Sequence, residues 1–324
     1  MDLTFREGVA RSSRHTSFYL ECGPTDGPLL IFLHGWPELA ISWRHQLPCF
    51  AALGFRCVAP DMRGYGRSTV HASPADYALE QTAADMLELL GALERERAVW
   101  IGHDWGSPVA WSIAAHHAER CMAVASLCVP YIPAGFTLPD LVALVDRRTY
   151  PEAEFPAGQW DYQFFYEENP ARARAVFEAD VGATVRALFR RGNPAARGKP
   201  GRTATIRRDG GWFGGADRAP DVPLDEAVLT PAECSRYVAA LTRNGFAGPD
   251  AWYLNHAANA AYATRAPEGG RLAMPVLFLH GAHDTTCETM DSALAAPMRG
   301  ACANLTEVVV ESPATGWRRR SRWR

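Results

Sequence analysis

The chain alternates short apolar runs with amphipathic stretches through its first 130 residues. Leu29–Leu33 is apolar at every position, as a strand buried on both faces requires. Residues 55–59, 98–101 and 123–129 repeat that signature. Between the second and third runs, Ala83, Met86, Leu87, Leu90 and Leu93 recur at helical spacing. A second helix, rich in small residues, is predicted over 106–117, directly after a strand. Such strand–helix alternation predicts an α/β protein with a mostly parallel sheet and helices on both faces.

The pattern stops near residue 131. From there to 247 the chain is rich in aromatic, Arg, Pro and Gly residues and carries no clear buried strand. Helical stretches are predicted around 140–145, 171–180 and 231–241, and an exposed, mobile loop over 190–215. Strand signals resume at 275–279 and 306–310. The expected organisation is a core in two parts, 1–130 and 248–324, interrupted by a helical cap over 131–247.

Composition narrows the class. Of 324 residues, 48% are hydrophobic and 21% charged, enough for a sizeable core. A net charge of −3 gives no electrostatic reason to expect nucleic acid or a membrane surface as partner. The eight cysteines are scattered, with no C-x-x-C pair, and read as small hydrophobes in a reducing cytosol. The N-terminus has no apolar signal-like region, and no run approaches the roughly 20 apolar residues of a membrane span. A cytoplasmic protein is expected.

The chemistry concentrates in Gly102-His103-Asp104-Trp105-Gly106, between a strand and a helix. This is the small-x-nucleophile-x-small pattern of a sharp elbow, where a flanking Cβ finds no room. The turn lifts one side chain to a helix N-terminus, which favours an anion. Asp104 could serve there as a plain N-cap, but a carboxylate in this place can also attack carbon and form an ester. Three further segments favour the nucleophile. His34-Gly35-Trp36-Pro37-Glu38 follows the first buried strand, Asp61 to Ser68 follows the second, and His280-Gly281-Ala282-His283-Asp284 follows the strand after the insertion. All would meet at the C-terminal edge of the sheet.

Together, H-G-W-P-E, D-x-R-G-Y-G-x-S and G-H-D-W-G in this order resemble the epoxide hydrolase branch of the α/β-hydrolase superfamily, over about 29–310. The resemblance implies an α/β-hydrolase fold with an inserted cap and no cofactor or metal. It implies Asp104 as nucleophile and Asp284 as the acid that orients a histidine base. The backbone around Trp36 and Trp105 would form the oxyanion site, with His34, Pro37 and Gln163 as further oxyanion or substrate-side residues. Two cap tyrosines that protonate the epoxide oxygen match Tyr162, before Gln163, and Tyr253, after Trp252. Tyr150, Tyr166, Tyr237 and Tyr262 read as core. His103 and His283 read as elbow packing and loop residues, and His34 as a structural hydrogen-bonder. The implied substrates are a small apolar epoxide and water, with a homodimer left open.

One part of the pattern departs. The family's base sits after the last strand in a Gly-His-Trp segment, whereas no histidine here follows His283. Residues 313–324 can be encoded so that a shifted frame reads Gly-His-Trp-Met-Ala-Gln-Glu-Lys-Pro-Val-Glu. The tail is therefore read as frameshifted, and ester hydrolysis as impaired. An Arg-rich nucleic-acid or membrane patch is the rival reading of the tail. A haloalkane or haloacid dehalogenase, with Trp105 as halide donor, is the rival enzyme. A binding protein that keeps the pocket without turnover is the rival outside enzymes.

Overall fold

The computed structural model describes residues 5–311, so the reading of 313–324 as a frameshifted tail concerns residues outside that range. Strands β1 (Arg6–Arg11), β2 (Thr16–Cys22), β3 (Leu29–Leu33), β4 (Arg56–Pro60), β5 (Ala98–His103), β6 (Cys121–Leu127), β7 (Val276–Gly281) and β8 (Leu305–Val310) form one sheet. Their order is β1-β2-β4-β3-β5-β6-β7-β8. β2 runs antiparallel to β1 and β4, and every pair from β4 onward is parallel.

Burial explains which strands the sequence announces. β3 is buried at all positions, and β4 at all but its first. Each Leu, Ile or Phe so enclosed contributes about 1.5–3 kcal/mol. β1 is an edge strand, largely exposed, so its sequence Arg-Glu-Gly-Val-Ala-Arg carries no apolar run. The predicted strand over 123–129 ends at Leu127 instead, because Cys128 takes a positive φ of 70° and turns the chain toward the site. Helix Gly106–His116 packs on β5 and β6, and helix Leu79–Ala92 packs against it.

Between β6 and β7 the described chain has helices and no strand. The three expected helices lie at Leu138–Ala143, Pro170–Glu178 and Pro231–Asn244. The last begins with a capping box, in which Thr230 Oγ1 accepts from the Glu233 N–H and Glu233 Oε2 from the Thr230 N–H. It docks on the first half of the chain through Tyr237 on Ser42 and Glu233 on Arg44. Helix Asp161–Glu168 was not expected, since its Tyr-Gln-Phe-Phe-Tyr run is apolar on several sides.

The segment 190–215 is a loop, mostly exposed over 191–200 as its composition suggests, but its second half is packed against the protein. Ala204 and Ile206 are buried, and the Trp212 indole stacks on Trp36 with centroids 5.6 Å apart. Its Gly and Arg residues provide turns and surface, Pro194, Ala195 and Pro200 are exposed, and the apolar side chains that pack inward come from the second half. Helices Ala247–Ala251 and His256–Ala263 then return the chain to the first half. Asn255 Nδ2 donates to the Pro74 carbonyl, and Asn259 Oδ1 accepts from the Leu79 N–H.

Candidate active site

Asp104 stands between the end of β5 and the helix that begins at Gly106, with a positive φ of 50°. Such a backbone is strained for a residue with a Cβ and persists where surroundings over-determine it. The neighbours leave no slack. A Cβ on Gly102 would fall 2.4 Å from the Gly106 carbonyl oxygen, and one on Gly106 would fall 2.2 Å from that of Leu33. A Cβ on Gly35 would fall 2.2 Å from Asp104 Oδ1 itself.

The Trp36 N–H donates to Asp104 Oδ1 at 2.7 Å, and the Trp105 N–H is the next along the chain from the same carboxyl. Burial pushes the Asp104 carboxyl above the usual carboxylate range, opposed by His103 and by those two N–H groups. The peptide between Trp36 and Pro37 is cis. His34 lies beneath, its Nε2 accepting the Met62 N–H at 2.9 Å and its Nδ1 2.9 Å from the Gly35 carbonyl. Asp61 accepts the N–H groups of Ala40 and Arg67, and Arg63 clasps Asp85 with two 2.7 Å bonds, so the D-x-R-G-Y-G-x-S segment is scaffold.

Above Asp104 is a cavity of about 260 Å³, whose walls include Trp36, Pro37, His103, Tyr162, Trp212, Tyr253 and Asp284. Trp105, Gln163 and Cys287 line a narrower extension that also reaches Asp104 and Tyr162. Gln163 Nε2 donates to Tyr162 Oη at 3.1 Å. The Tyr162 and Tyr253 rings meet edge to face at 5.7 Å. Burial raises both phenols well above their ordinary value, so both stay protonated at neutral pH. Asp284 Oδ1 accepts from the N–H groups of Thr286 and Cys287. Asp104, the Trp36 backbone, the two phenols and Asp284 thus border one cavity.

The matching family model is that of the alpha/beta hydrolase fold, over residues 28–313. Epoxide hydrolase A of Mycobacterium tuberculosis is 35% identical over 268 residues, covering 82% of this chain and 78% of that one. The chain belongs to the α/β hydrolases, in their epoxide hydrolase branch. The bifunctional epoxide hydrolase 2 of Sus scrofa is 32% identical over 266 residues, 82% of this chain but only 44% of that longer protein. An epoxide hydrolase from an endophytic Streptomyces superposes with a TM-score of 0.79 at 29% identity, covering 97% and 91% of the two chains. Epoxide hydrolase A from Mycobacterium thermoresistibile does so with a TM-score of 0.76 at 30% identity, covering 95% and 91%. As a member of this branch the chain is a hydrolase.

Several residues of the site carried no signal for it in the sequence. His103, read as elbow packing, lines the cavity, with its Nδ1 3.6 Å from Glu38 Oε2. Tyr166, read as core, is fully buried and stacks on Tyr253. Trp212 lay in the segment read as a loop. A lone tryptophan in a Gly- and Arg-rich stretch was the available clue, since an indole seldom stays in solvent. Among the described residues no helix is long and apolar enough to cross a membrane.

Proposed function

We propose that the chain opens small apolar epoxides through an ester on Asp104. A carboxylate oxygen of Asp104 attacks a ring carbon, the carbon–oxygen bond breaks, and the released oxygen takes a proton from Tyr162 or Tyr253. Water then adds to the ester carbonyl, the N–H groups of Trp36 and Trp105 bind the oxygen that becomes negative, and the diol leaves. One observation carries this reading. An Asp whose carboxylate accepts the Trp36 N–H lies beneath two protonated phenols in one cavity. Phenols suit an epoxide oxygen, which needs a proton, better than a halide, which needs none; this favours epoxides over the dehalogenase reading.

The second half-reaction needs a base held by Asp284, the role that a histidine after the last strand fills in the family pattern. With the tail as written, that step is slow and the ester accumulates. Losing a positioned base costs about 10²–10⁴-fold. Intact-protein mass spectrometry after incubation with styrene oxide tests both halves. A stoichiometric adduct on the Asp104 peptide is expected, made transient in a frame-restored tail that releases diol. Absence of both adduct and diol would overturn the epoxide reading. Fast diol release without an adduct would overturn only the missing base.

A further inference from the structure

Asp250 is 3% exposed and lies in helix Ala247–Ala251, three residues before Tyr253. Its Oδ1 accepts the indole N–H of Trp36 at 3.1 Å, while its Oδ2 has no hydrogen-bond partner among the described residues. Trp36 is therefore held at both ends, its backbone N–H on Asp104 and its indole N–H on Asp250. The indole is also packed between Trp212 and the Tyr166 and Tyr253 rings, with centroids 5.6, 6.2 and 6.3 Å away. A tryptophan so enclosed would keep its ring by packing alone. The acid adds direction, because a hydrogen bond to the indole edge fixes how far the ring rotates about its own backbone.

We propose that Asp250 is a positioning residue, whose bond to the Trp36 indole holds the Trp36 backbone N–H on the Asp104 carboxylate and ties it to the turn that bears Tyr253. The inference rests on Asp104 as nucleophile. It joins two partners of the reaction that otherwise belong to distant parts of the chain, the anion's donor and the leaving oxygen's acid. Burial holds the Asp250 carboxyl well above the usual carboxylate range, with Glu178 adding to the rise and Arg174 opposing it. A carboxyl oxygen accepts an N–H as an amide oxygen does, so Asn should replace Asp in this task and Ala should not.

The test compares D250A, D250N and W36F with the wild type, in the full chain, by the single-turnover rate of ester formation from styrene oxide. D250A should slow ester formation about tenfold, within the up to 10²-fold cost of a small misplacement, and leave the half-saturating epoxide concentration unchanged. D250N should restore most of that rate. W36F keeps the backbone N–H and the ring but loses the indole donor, so it should resemble D250A. The D250A/W36F double variant should be no slower than the slower single, because both cut one bond. Additive losses, a D250N as slow as D250A, or a D250A rate equal to wild type would each overturn the proposal. A crystal structure of D250A supplies a readout that needs no turnover: the 2.7 Å contact from Trp36 N to Asp104 should lengthen. If wild type forms no ester, the Asp104 reading falls, and an intact contact in D250A would overturn this one separately. Should D250A fail to fold, D250N and W36F still decide it.

Discussion

The Tyr166 ring lies flat on the Tyr253 ring, centroids 4.3 Å apart and planes 7° from parallel. Tyr162 approaches both rings edge-on, at 6.3 and 5.7 Å. Stacked aromatic pairs contribute about 0.5–1.5 kcal/mol beyond their buried area. Here that energy restricts where the Tyr253 hydroxyl points. Replacing Tyr166 with Leu should slow ester formation up to about tenfold, and replacing it with Phe should cost less, because Phe keeps the stack. Stopped-flow fluorescence with styrene oxide would measure both.

Removing the phenols themselves should do more. Tyr162→Phe and Tyr253→Phe each leave one proton donor over Asp104, whereas the double variant leaves none. The double variant should lose about 10²–10⁴-fold in ester formation, well beyond either single. Equal rates for the single and double variants would show that only one phenol serves the epoxide oxygen.

Asp104→Asn should abolish the adduct and at the same time raise the melting temperature at pH 7. Burial raises the Asp104 carboxyl above its ordinary value, so the folded chain binds that proton more tightly than the unfolded chain does. Ionisation therefore costs stability as pH climbs through the window above the ordinary carboxylate value, and Asn avoids the cost. The same shift moves the acidic limb of ester formation upward in pH. Calorimetry from pH 4 to 8 should show the variant's advantage growing with pH (the range spanning about the ordinary value upward).

Gly35→Ala should resemble Asp104→Asn in ester formation although it deletes nothing. The added methyl would occupy space 2.2 Å from Asp104 Oδ1, so the carboxylate must move off the Trp36 N–H. Displacing a reacting atom by about 1 Å can cost about 10²-fold. Single-turnover rates read the loss. Normal circular dichroism would show that the fold itself survives.

Acid should destabilise the fold through two buried histidines that take no part in the proposed chemistry. Burial lowers both His15 and His256 to about 4. Below the ordinary value of about 6.5 the unfolded chain takes up protons that the folded chain refuses, so stability falls as pH drops from there toward about 4. His15→Asn should flatten that slope. Urea midpoints between these pH values provide the measure.

How much of this was legible in the sequence follows from distance along the chain. β3 and the Asp104 elbow announce themselves because their constraints are local: burial on both faces writes an apolar run, and the tight turn demands Gly102 and Gly106. Tyr162 and Tyr253 were found only through neighbours that match a family pattern. Tyr166, Trp212, His103 and Asp250 were not found, because each acquires its place from a partner that folding brings from elsewhere. Trp212 stacks on Trp36 from a distant part of the chain, and the bond from Trp36 to Asp250 joins residues 214 positions apart. β1 escaped for the opposite reason, since an exposed edge strand need bury nothing.

That 214-residue closure bears on when the enzyme becomes an enzyme. Contacts between distant positions pay their loop entropy late, and parallel pairing is slow for the same reason. Secondary structure and general compaction can therefore precede the meeting of Trp36, Asp104 and Asp250 during refolding. Covalent capture of an epoxide would then act as a clock for the last step of assembly, marking molecules whose two halves have closed and passing over those that are merely collapsed.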